Sequence, residues 1–140
     1  MNSEQRALPA HMNIEVGWYR ETDRVILMRF QEDFSWEEFQ RAKGQADALM
    51  DTVDRNCALV LWFMEQVPTL ADMLSNGRSL LSRRHPRSQR FIIVSESSLV
   101  RSLGAMLGQI TDTQSALIEV ATTMAEAEQR LASAHYLNGA

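Results

Sequence analysis

The residues best suited to chemistry by type and spacing lie in "LLSRRHPRSQRFIIV", which spans residues 80–94. Its five basic side chains fall within eight positions: Arg83, Arg84, His85, Arg87 and Arg90. Guanidinium groups pair with phosphates and carboxylates, so the four arginines could form an anion-binding patch. Cations also stabilise the carboxyl end of a helix, and Arg83 and Arg84 could serve only that purpose. The residue types leave both interpretations open.

A second group of residues combines carboxylates with hydroxyls and follows two apolar runs. It consists of Glu65 and Thr69 after the first run, and Glu96, Ser97 and Ser98 after the second. Acids and hydroxyls are also the residue types that the amino ends of helices favour. No glycine-rich loop of the kind that cradles phosphates stands at these positions,. The group is therefore suited to contact a protein partner and poorly suited to bind a nucleotide.

The residue types that hold metals or attack substrates are scattered along the chain. The histidines stand far apart, at His11, His85 and His135, and none has a second ligand at metal-binding spacing. Cys57 lies in an apolar run, where a cysteine is more often an inert core residue than a nucleophile. The sequence contains no G-x-S-x-G motif,. We therefore expect no metal, no cofactor and no catalysis, and the weaker alternative is an enzyme that uses Glu65 or Glu96 as an acid.

Five strands are predicted from the pattern of apolar residues. Apolar and polar residues alternate over 14–19, and an apolar run follows over 25–30, so these two strands are expected to form an antiparallel hairpin,. Runs of apolar residues over 57–64, 91–95 and 116–120 are typical of buried strands in a parallel sheet,.

Four helices are predicted where apolar residues at helical spacing follow a capping residue. The caps are Ser35, Thr69, Ser97 or Ser98, and Thr123. Ser35 with Glu38 and Thr123 with Glu126 further match the capping box. The helix after Thr69 is expected to stop at Pro86. In the third helix, Gly104 and Gly108 would let it lie close to the sheet, and four residues share an apolar face: Leu99, Leu103, Leu107 and Ile110.

The resulting order is ββαβαβαβα, which predicts an α/β domain with a mixed sheet of about five strands and helices packed against it. In such a sheet, the loops that lead into helices lie at one end of the strands, and the loops that lead into strands lie at the other. The arginine cluster precedes a strand, whereas the carboxylate and hydroxyl group precedes helices. The two groups are therefore expected at opposite ends, with the second at the carboxyl ends of the strands, where open α/β sheets bind their ligands.

Length and composition suit one cytoplasmic domain. The chain of 140 residues is long enough for a single core,, which we expect over residues 12–135, with a flexible tail at 1–11 and a second tail at 136–140. One cysteine allows no disulfide within the chain, which is typical of a reducing cytoplasm,. A net charge of −4 argues against nucleic acid as a partner,. No apolar run approaches the ~20 residues needed to span a membrane.

Four stretches of the sequence match a known pattern. They are "VILMRF" (25–30), "FSWEEF" (34–39), "RRHPRSQRFIIV" (83–94) and "TMAEAEQRL" (123–131). Together with the order of the elements, they resemble the STAS domains of sulphate transporters and anti-sigma-factor antagonists, and more closely the small bacterial SpoIIAA-like proteins. The resemblance implies a small regulatory or binding domain without catalysis of its own.

The resemblance also bears on regulation. Family members that antagonise anti-sigma factors carry a phosphorylatable serine in a D-S-S-G motif, where the central strand meets the next helix. The matching stretch here, "MEQVPTLADM", lacks the motif and has Thr69 as its only hydroxyl. Because Thr69 also fits as a helix cap, control by phosphorylation is not established by the sequence.

These observations lead us to expect a non-enzymatic, STAS-like regulatory or protein-interaction domain. Its partner would be another protein or a second copy of the chain in a homodimer, and the contact would be formed by Glu65, Thr69, Glu96, Ser97 and Ser98. The alternative is a domain that binds a small ligand or lipid in a pocket between the sheet and the helices. That pocket would be lined by Met28, Phe30, Trp36, Phe39 and Trp62.

Overall fold

Five strands and three α-helices make up the part of the chain that the structure, a computed structural model, describes: residues 14–31, 34–63, 83–110 and 117–137. The strands are β1 (Ile14–Trp18), β2 (Val25–Phe30), β3 (Cys57–Phe63), β4 (Ser88–Val94) and β5 (Leu117–Ala121). The helices are α1 (Trp36–Met50), α2 (Ser98–Ile110) and α3 (Met124–Ser133), and a 3₁₀ turn over Tyr19–Glu21 follows β1. The helix that the sequence predicts after Thr69 falls mostly on residues 64–82, outside the described residues.

The five strands form one mixed sheet in the order β1-β2-β3-β4-β5. β1 pairs with β2 antiparallel, and β2, β3, β4 and β5 pair with one another in parallel. The four parallel strands therefore start at one end of the sheet, which we call the amino end, and stop at the other, which we call the carboxyl end. This arrangement confirms the predicted α/β class, the mixed five-stranded sheet and the antiparallel hairpin.

Helices cover both faces of the sheet. α1 and α2 pack on one face, where Phe39 and Val100 join the buried core. α3 packs on the opposite face through Ala127 and Leu131. Alternate residues of β3 belong to one core and then to the other. Because both faces of this strand are covered, β3 is apolar throughout, as expected for a central strand. We call the two faces the α1 face and the α3 face.

Local sequence signals account for the start of α1. The side-chain oxygen of Ser35 accepts a hydrogen bond from the N–H of Glu38 at 3.1 Å, and the Glu38 carboxylate accepts one from the N–H of Ser35 at 2.8 Å. The predicted capping box is therefore confirmed,. The residues that α1 buries recur at helical spacing, and they are Phe39, Ala42, Ala46 and Met50,.

The start of α3 follows the same logic with one change. Thr123 Oγ1 accepts a hydrogen bond from the N–H of Glu126 at 3.2 Å, as a capping residue does,. The Glu126 carboxylate accepts from the N–H of Thr122 at 2.9 Å, one residue before the cap. The predicted cap by Thr123 is therefore confirmed, whereas the predicted capping box is not formed, because Glu126 bonds to the residue before the cap,.

α2 lies close to β4 and β5 because of a glycine. A Cβ atom placed on Gly104 would stand 2.8 Å from Val120 Cγ1 and 2.9 Å from Ile93 Cδ1, which is closer than real Cβ contacts. The prediction that Gly104 allows a close approach to the sheet is therefore confirmed.

One of the four residues predicted for the apolar face of α2, Leu99, does not face the sheet. Val100 is fully buried, whereas Leu99 is 52% exposed. The close contact at Gly104 explains this orientation, since Gly104 follows Val100 by one turn and lies on the same side of the helix. The side chains of the other members of the predicted face, Leu103, Leu107 and Ile110, lie outside the described part of the chain.

The end of the described chain packs on the α3 face. Tyr136 and Leu137, which the sequence places in the second tail, are half-buried against the core that contains Leu131. His135, just before them, has a positive φ of 71°. Its carbonyl accepts a hydrogen bond from Arg24 Nη1 at 3.0 Å. These contacts hold the chain against the sheet after α3 ends.

Candidate functional site

The predicted arginine cluster lies at the amino end of the sheet, in the turn before β4 and in β4 itself. Arg83 is exposed and Arg87 is half-buried. Arg84 folds back on its own turn, where its Nη1 donates to the carbonyl of Ser88 at 3.0 Å. The main chain of Arg87 also holds the turn in place, because its carbonyl accepts a hydrogen bond from the N–H of Cys57 at 2.7 Å. Much of this cluster therefore shapes the entry into β4.

Arg90 is separated from the other three arginines. Its side chain lies on the α3 face, where Nη1 stands 2.5 Å from Glu119 Oε1. The guanidinium group also lies 5.9 Å from the centre of the Tyr136 ring. The structure thus places Arg83, Arg84 and Arg87 in the turn, whereas Arg90 is mostly buried and is paired with an acid of the same chain.

His85 joins this turn to the end of α1. Its Nε2 lies 2.7 Å from Asp51 Oδ1, and its Nδ1 accepts a hydrogen bond from the N–H of Arg87 at 3.0 Å. Because Nδ1 accepts a hydrogen bond, the ring hydrogen is on Nε2, and Nε2–H donates a hydrogen bond to the Asp51 carboxylate,. The side chain is only 9% exposed. With both ring nitrogens engaged, His85 serves as a structural joint between the turn and α1.

Another ion pair lies nearby at the amino end. Arg55 Nη1 stands 3.3 Å from Asp23 Oδ2. Together with the His85–Asp51 pair, this contact mixes negative charge into the basic end of the sheet. The surroundings of the cluster therefore favour a structural role for most of its basic residues over an anion site.

Serine hydroxyls at the carboxyl end of the sheet build the start of α2. Ser95 Oγ accepts from the N–H of Ser97 at 3.0 Å, and Ser97 Oγ accepts from the N–H of Val100 at 3.4 Å. The carbonyl of Ser97 accepts from the N–H of Arg101, which is the first bond of the helix. Ser97, and not Ser98, is therefore the capping residue, and its hydroxyl is used within the fold.

The other members of the predicted contact group divide into two sets. Glu96 and Ser98 are exposed beside the cap of α2. Glu65 and Thr69 lie outside the described residues, so the structure places only the second half of the group.

Two apolar side chains of α2 are exposed, Leu99 beside Glu96 and Ser98, and Met106 further along the helix. Leu99 is 52% exposed and Met106 is 43% exposed, and among the side chains that the structure describes, which exclude Leu103, Leu107, Ile110 and Leu117, no other large apolar one is exposed to this degree. The two residues are two turns of α2 apart and therefore lie on one side of it. Sequence reasoning missed Met106 and placed Leu99 on the apolar face. The available signal was that α2 is apolar on more than one side.

A series of polar contacts joins the starts of α2 and α3 to the carboxyl end of β5. Arg101 Nη1 donates to Thr122 Oγ1 at 3.0 Å and so ties the first turn of α2 to the end of β5. Arg130 Nη2 lies 3.0 Å from Glu126 Oε2. The hydrogen bond from the N–H of Thr122, together with Arg130, lowers the pKa of Glu126 below its ordinary value. The starts of α2 and α3 are therefore held to the same strand end.

The residues of the alternative pocket are Met28, Phe30, Trp36, Phe39 and Trp62. The first four lie on the α1 face, whereas Trp62 packs on the α3 face. On the α1 face the rings contact one another directly, since the ring centres of Phe30 and Phe63 are 4.4 Å apart and those of Phe34 and Trp36 are 5.3 Å apart. The sheet thus separates Trp62 from the other four, and the rings on the α1 face pack as core.

Cysteine, histidine and acidic side chains are the groups that could act in catalysis or bind a metal. Burial is the main cause that raises the pKa of the Cys57 thiol, and the nearby Asp23 carboxylate adds to it. A thiol in such surroundings stays protonated and is a poor nucleophile. Within the described ranges, no three side chains of His, Cys, Asp or Glu come together in a way that could hold a metal ion.

Comparison of the chain with models of protein families, with curated proteins and with solved structures gives no match. Among the helices that the structure describes, none has the length and apolar character needed to span a membrane. The function of these residues is therefore inferred from their own geometry and chemistry.

Proposed function

We propose that the chain is a non-enzymatic, STAS-like protein-interaction domain of the cytoplasm. Its contact surface lies at the carboxyl end of the sheet, along the exposed side of α2. This α2 surface consists of Glu96, Ser98, Leu99 and Met106. The partner that fits it is a protein with an apolar centre, which covers Leu99 and Met106, and a basic group, which meets Glu96.

The observation that carries the proposal is the exposure of Leu99 and Met106 on one side of α2. Fully burying a side chain of this size is worth about 1.5–3 kcal/mol, so covering the exposed parts of both would contribute roughly half that amount per residue. Methionine adapts its shape to a partner more easily than branched residues do. Val100 and Gly104 hold the opposite side of α2 against the sheet, so the surface is presented on a fixed helix.

The surroundings of the reactive groups support the non-enzymatic part of the proposal. Both ring nitrogens of His85 are engaged by the fold, and the Cys57 thiol is buried with a raised pKa. Glu96 is exposed beside the start of α2 and lies in no enclosed site of the described residues. A single buried free thiol also fits a reducing compartment,.

The proposal is tested by affinity purification of the tagged chain from its native cells, with quantitative mass spectrometry of the captured proteins. The test variant combines Leu99→Asp with Met106→Asp, and a second variant carries Glu96→Lys. The double variant should reduce capture of a specific partner by about tenfold or more, as expected when anchor residues are lost. Ala48→Asp is the matched control, because Ala48 is exposed on α1.

Circular dichroism spectra of the variants should match those of the unsubstituted chain, since all the changed residues are exposed. A captured protein that binds the double variant and the Glu96→Lys variant as well as it binds the control would exclude the α2 surface as the contact.

A further inference from the structure

β5 is an outer strand of the sheet, and half of its main-chain groups have no partner in another described strand. It pairs with β4 and with no other described strand. The carbonyl of Ala121 accepts a hydrogen bond from the N–H of Ser95 at 3.1 Å, so Ala121 directs its main-chain groups at β4. In a parallel ladder these directions alternate along the strand, and Glu119 does the same. Ile118 and Val120 therefore direct their N–H and C=O groups away from the sheet.

The two outer strands of the sheet differ in how they are protected. Proteins guard such strands with charged side chains, proline or bulges. β1 carries an exposed carboxylate on Glu15, which lies 3.4 Å from Arg29. β5, "LIEVA", contains no proline or lysine, and its one charge, on Glu119, is paired with Arg90. The difference lies in exposure: the Glu15 side chain is 55% exposed, whereas the Glu119 side chain is only 20% exposed. β5 thus presents a mostly apolar strand whose outer edge is not covered by another described strand.

We propose that a second copy of the chain binds this edge, with the two β5 strands antiparallel across a two-fold axis and Glu119 opposite the partner's Glu119. In this register Ile118 of each copy faces Val120 of the other. All the outward main-chain groups of the described strand then form hydrogen bonds, and the two sheets become one. The contact does not use the α2 surface and does not depend on the function proposed above.

The charges around Glu119 suit this pairing. Like charges that face each other across strands are destabilising unless they are neutralised. Arg90 Nη1 lies 2.5 Å from one oxygen of Glu119, and Arg130 Nη1 lies 3.5 Å from the other. Arg130 also pairs with Glu126, so each copy brings two guanidinium groups and two carboxylates. The contact is therefore balanced in charge, and Arg130, which is 38% exposed, is placed to bind the partner's Glu119.

The space beside β5 also suits a second copy. On the α3 face, an open groove of about 430 Å³ gives room for the partner's Glu119 side chain, and it is lined by Arg90, Glu119, Gln129, Arg130, Ser133 and Ala134. On the α1 face, the bond from Arg101 to Thr122 marks the side of α2 that faces the end of β5. Ala105, one turn later on that side, is exposed and carries only a methyl group,. At this position α2 has no bulky side chain to hold the copies apart.

Sedimentation velocity of the full chain tests the association directly. From low to high micromolar concentration, the sedimentation coefficient should rise from that of a monomer to that of a dimer. A monomer throughout this range would overturn the proposal. Arg130→Glu should weaken the dimer by about tenfold or more, because it places a carboxylate beside both copies of Glu119. Arg41→Glu is the matched control, because Arg41 is exposed on α1, away from β5.

A cross-link tests the register. At a non-hydrogen-bonded antiparallel pair the two Cα atoms lie about 4.5 Å apart, which a disulfide can span. Glu119→Cys should therefore give a covalent dimer in oxidised glutathione, visible on a non-reducing gel. Ile118→Cys is the matched control, since each copy of position 118 faces position 120 of the other and the two introduced thiols stay too far apart. A covalent dimer from Ile118→Cys and none from Glu119→Cys would overturn the register.

Amide hydrogen exchange provides a measurement that needs no substitution. The amides of Ile118 and Val120 should exchange slowly at high concentration and faster on dilution. A dimer in which neither amide responds to concentration would place the contact elsewhere and overturn the proposal. Leu99→Asp should leave the dimer unchanged, so a failure of the α2 surface and a failure of this edge give different results.

Discussion

At the amino end of the sheet, Arg84 bonds to its own turn and His85 bonds to the end of α1, whereas at the carboxyl end Glu96 and Leu99 are exposed. The first end has the denser cluster of charge in the sequence, whereas the second combines exposed apolar and charged side chains. The difference teaches that a cluster of charged residues does not by itself indicate a binding surface, because many of those residues already form hydrogen bonds or ion pairs within the fold.

The physical origin of this contrast lies in what each end has to build. The turn before β4 must be joined to α1, and His85 makes that joint through Asp51 and the N–H of Arg87. The start of α2 needs mainly the hydroxyl groups of Ser95 and Ser97. The side chains that flank this cap are consequently left for contacts outside the domain.

The largest expected effect concerns what holds the carboxyl end in place. Gly104→Val should lower the free energy of unfolding by about 2–3 kcal/mol, because its side chain would press on Val120 and Ile93,. Urea denaturation of the purified chain measures the change. Gly44→Val is the matched control: a Cβ there meets nothing within 4 Å, so the change should stay within about 0.5 kcal/mol. Equal losses for the two variants would mean that α2 does not lie as close to the sheet as described.

At the amino end, the largest effect should come from His85. His85→Ala should cost about 2 kcal/mol, because the N–H of Arg87 and the Asp51 carboxylate both lose their partner,. Arg83→Ala, at the exposed start of the same turn, should change stability by less than about 0.5 kcal/mol. Thermal unfolding followed by circular dichroism compares the two variants. If Arg83→Ala lowered stability more than His85→Ala, the distinction between a bonded His85 and an exposed Arg83 at this end would be wrong.

A smaller effect separates the two serines at the carboxyl end. Ser97→Ala should destabilise the chain by about 1 kcal/mol, since it removes the acceptor for the N–H of Val100,. Ser98→Ala should be close to neutral, because Ser98 is exposed in the first turn of α2. Chemical denaturation of both variants measures the difference. A larger loss of stability from Ser98→Ala than from Ser97→Ala would mean that Ser98, and not Ser97, caps α2.

The smallest effect is a dependence of stability on pH through Glu126. Its folded-state pKa is lowered, first by the hydrogen bond from Thr122 and then by Arg130. The stabilisation is therefore present above the ordinary pKa of 4.5 and is lost as the pH falls through the lower, folded-state value,. The stability difference between the unsubstituted chain and Glu126→Gln should shrink over that range. A carboxyl resonance of Glu126 that titrates at or above pH 4.5 in an NMR titration would contradict this sign.

Much of the secondary structure was predictable because its signals are local. The capping box of Ser35 and Glu38 spans three residues, and the apolar run of β3 is continuous, so both can be recognised without any tertiary contact. The hairpin was predictable because a short turn joins its two strands, and the parallel pairing was predictable because helices alternate with the later strands,. The site was harder to predict, because exposure and pairing are properties of the assembled fold.

By itself, the sequence determined where α1 and α3 begin and which described segments form strands, because caps and apolar periodicity act over about four residues,. It did not give every boundary, since β4 begins at Ser88, three residues before the predicted run. Only the tertiary structure decided which charges remain available. Arg90 meets Glu119 from 29 positions away, and His85 meets Asp51 from 34 positions away. Leu99 is exposed because the close approach at Gly104 sets the rotation of α2. Such contacts depend on strand register and on which face a helix covers, and the residues adjacent in sequence determine neither of these.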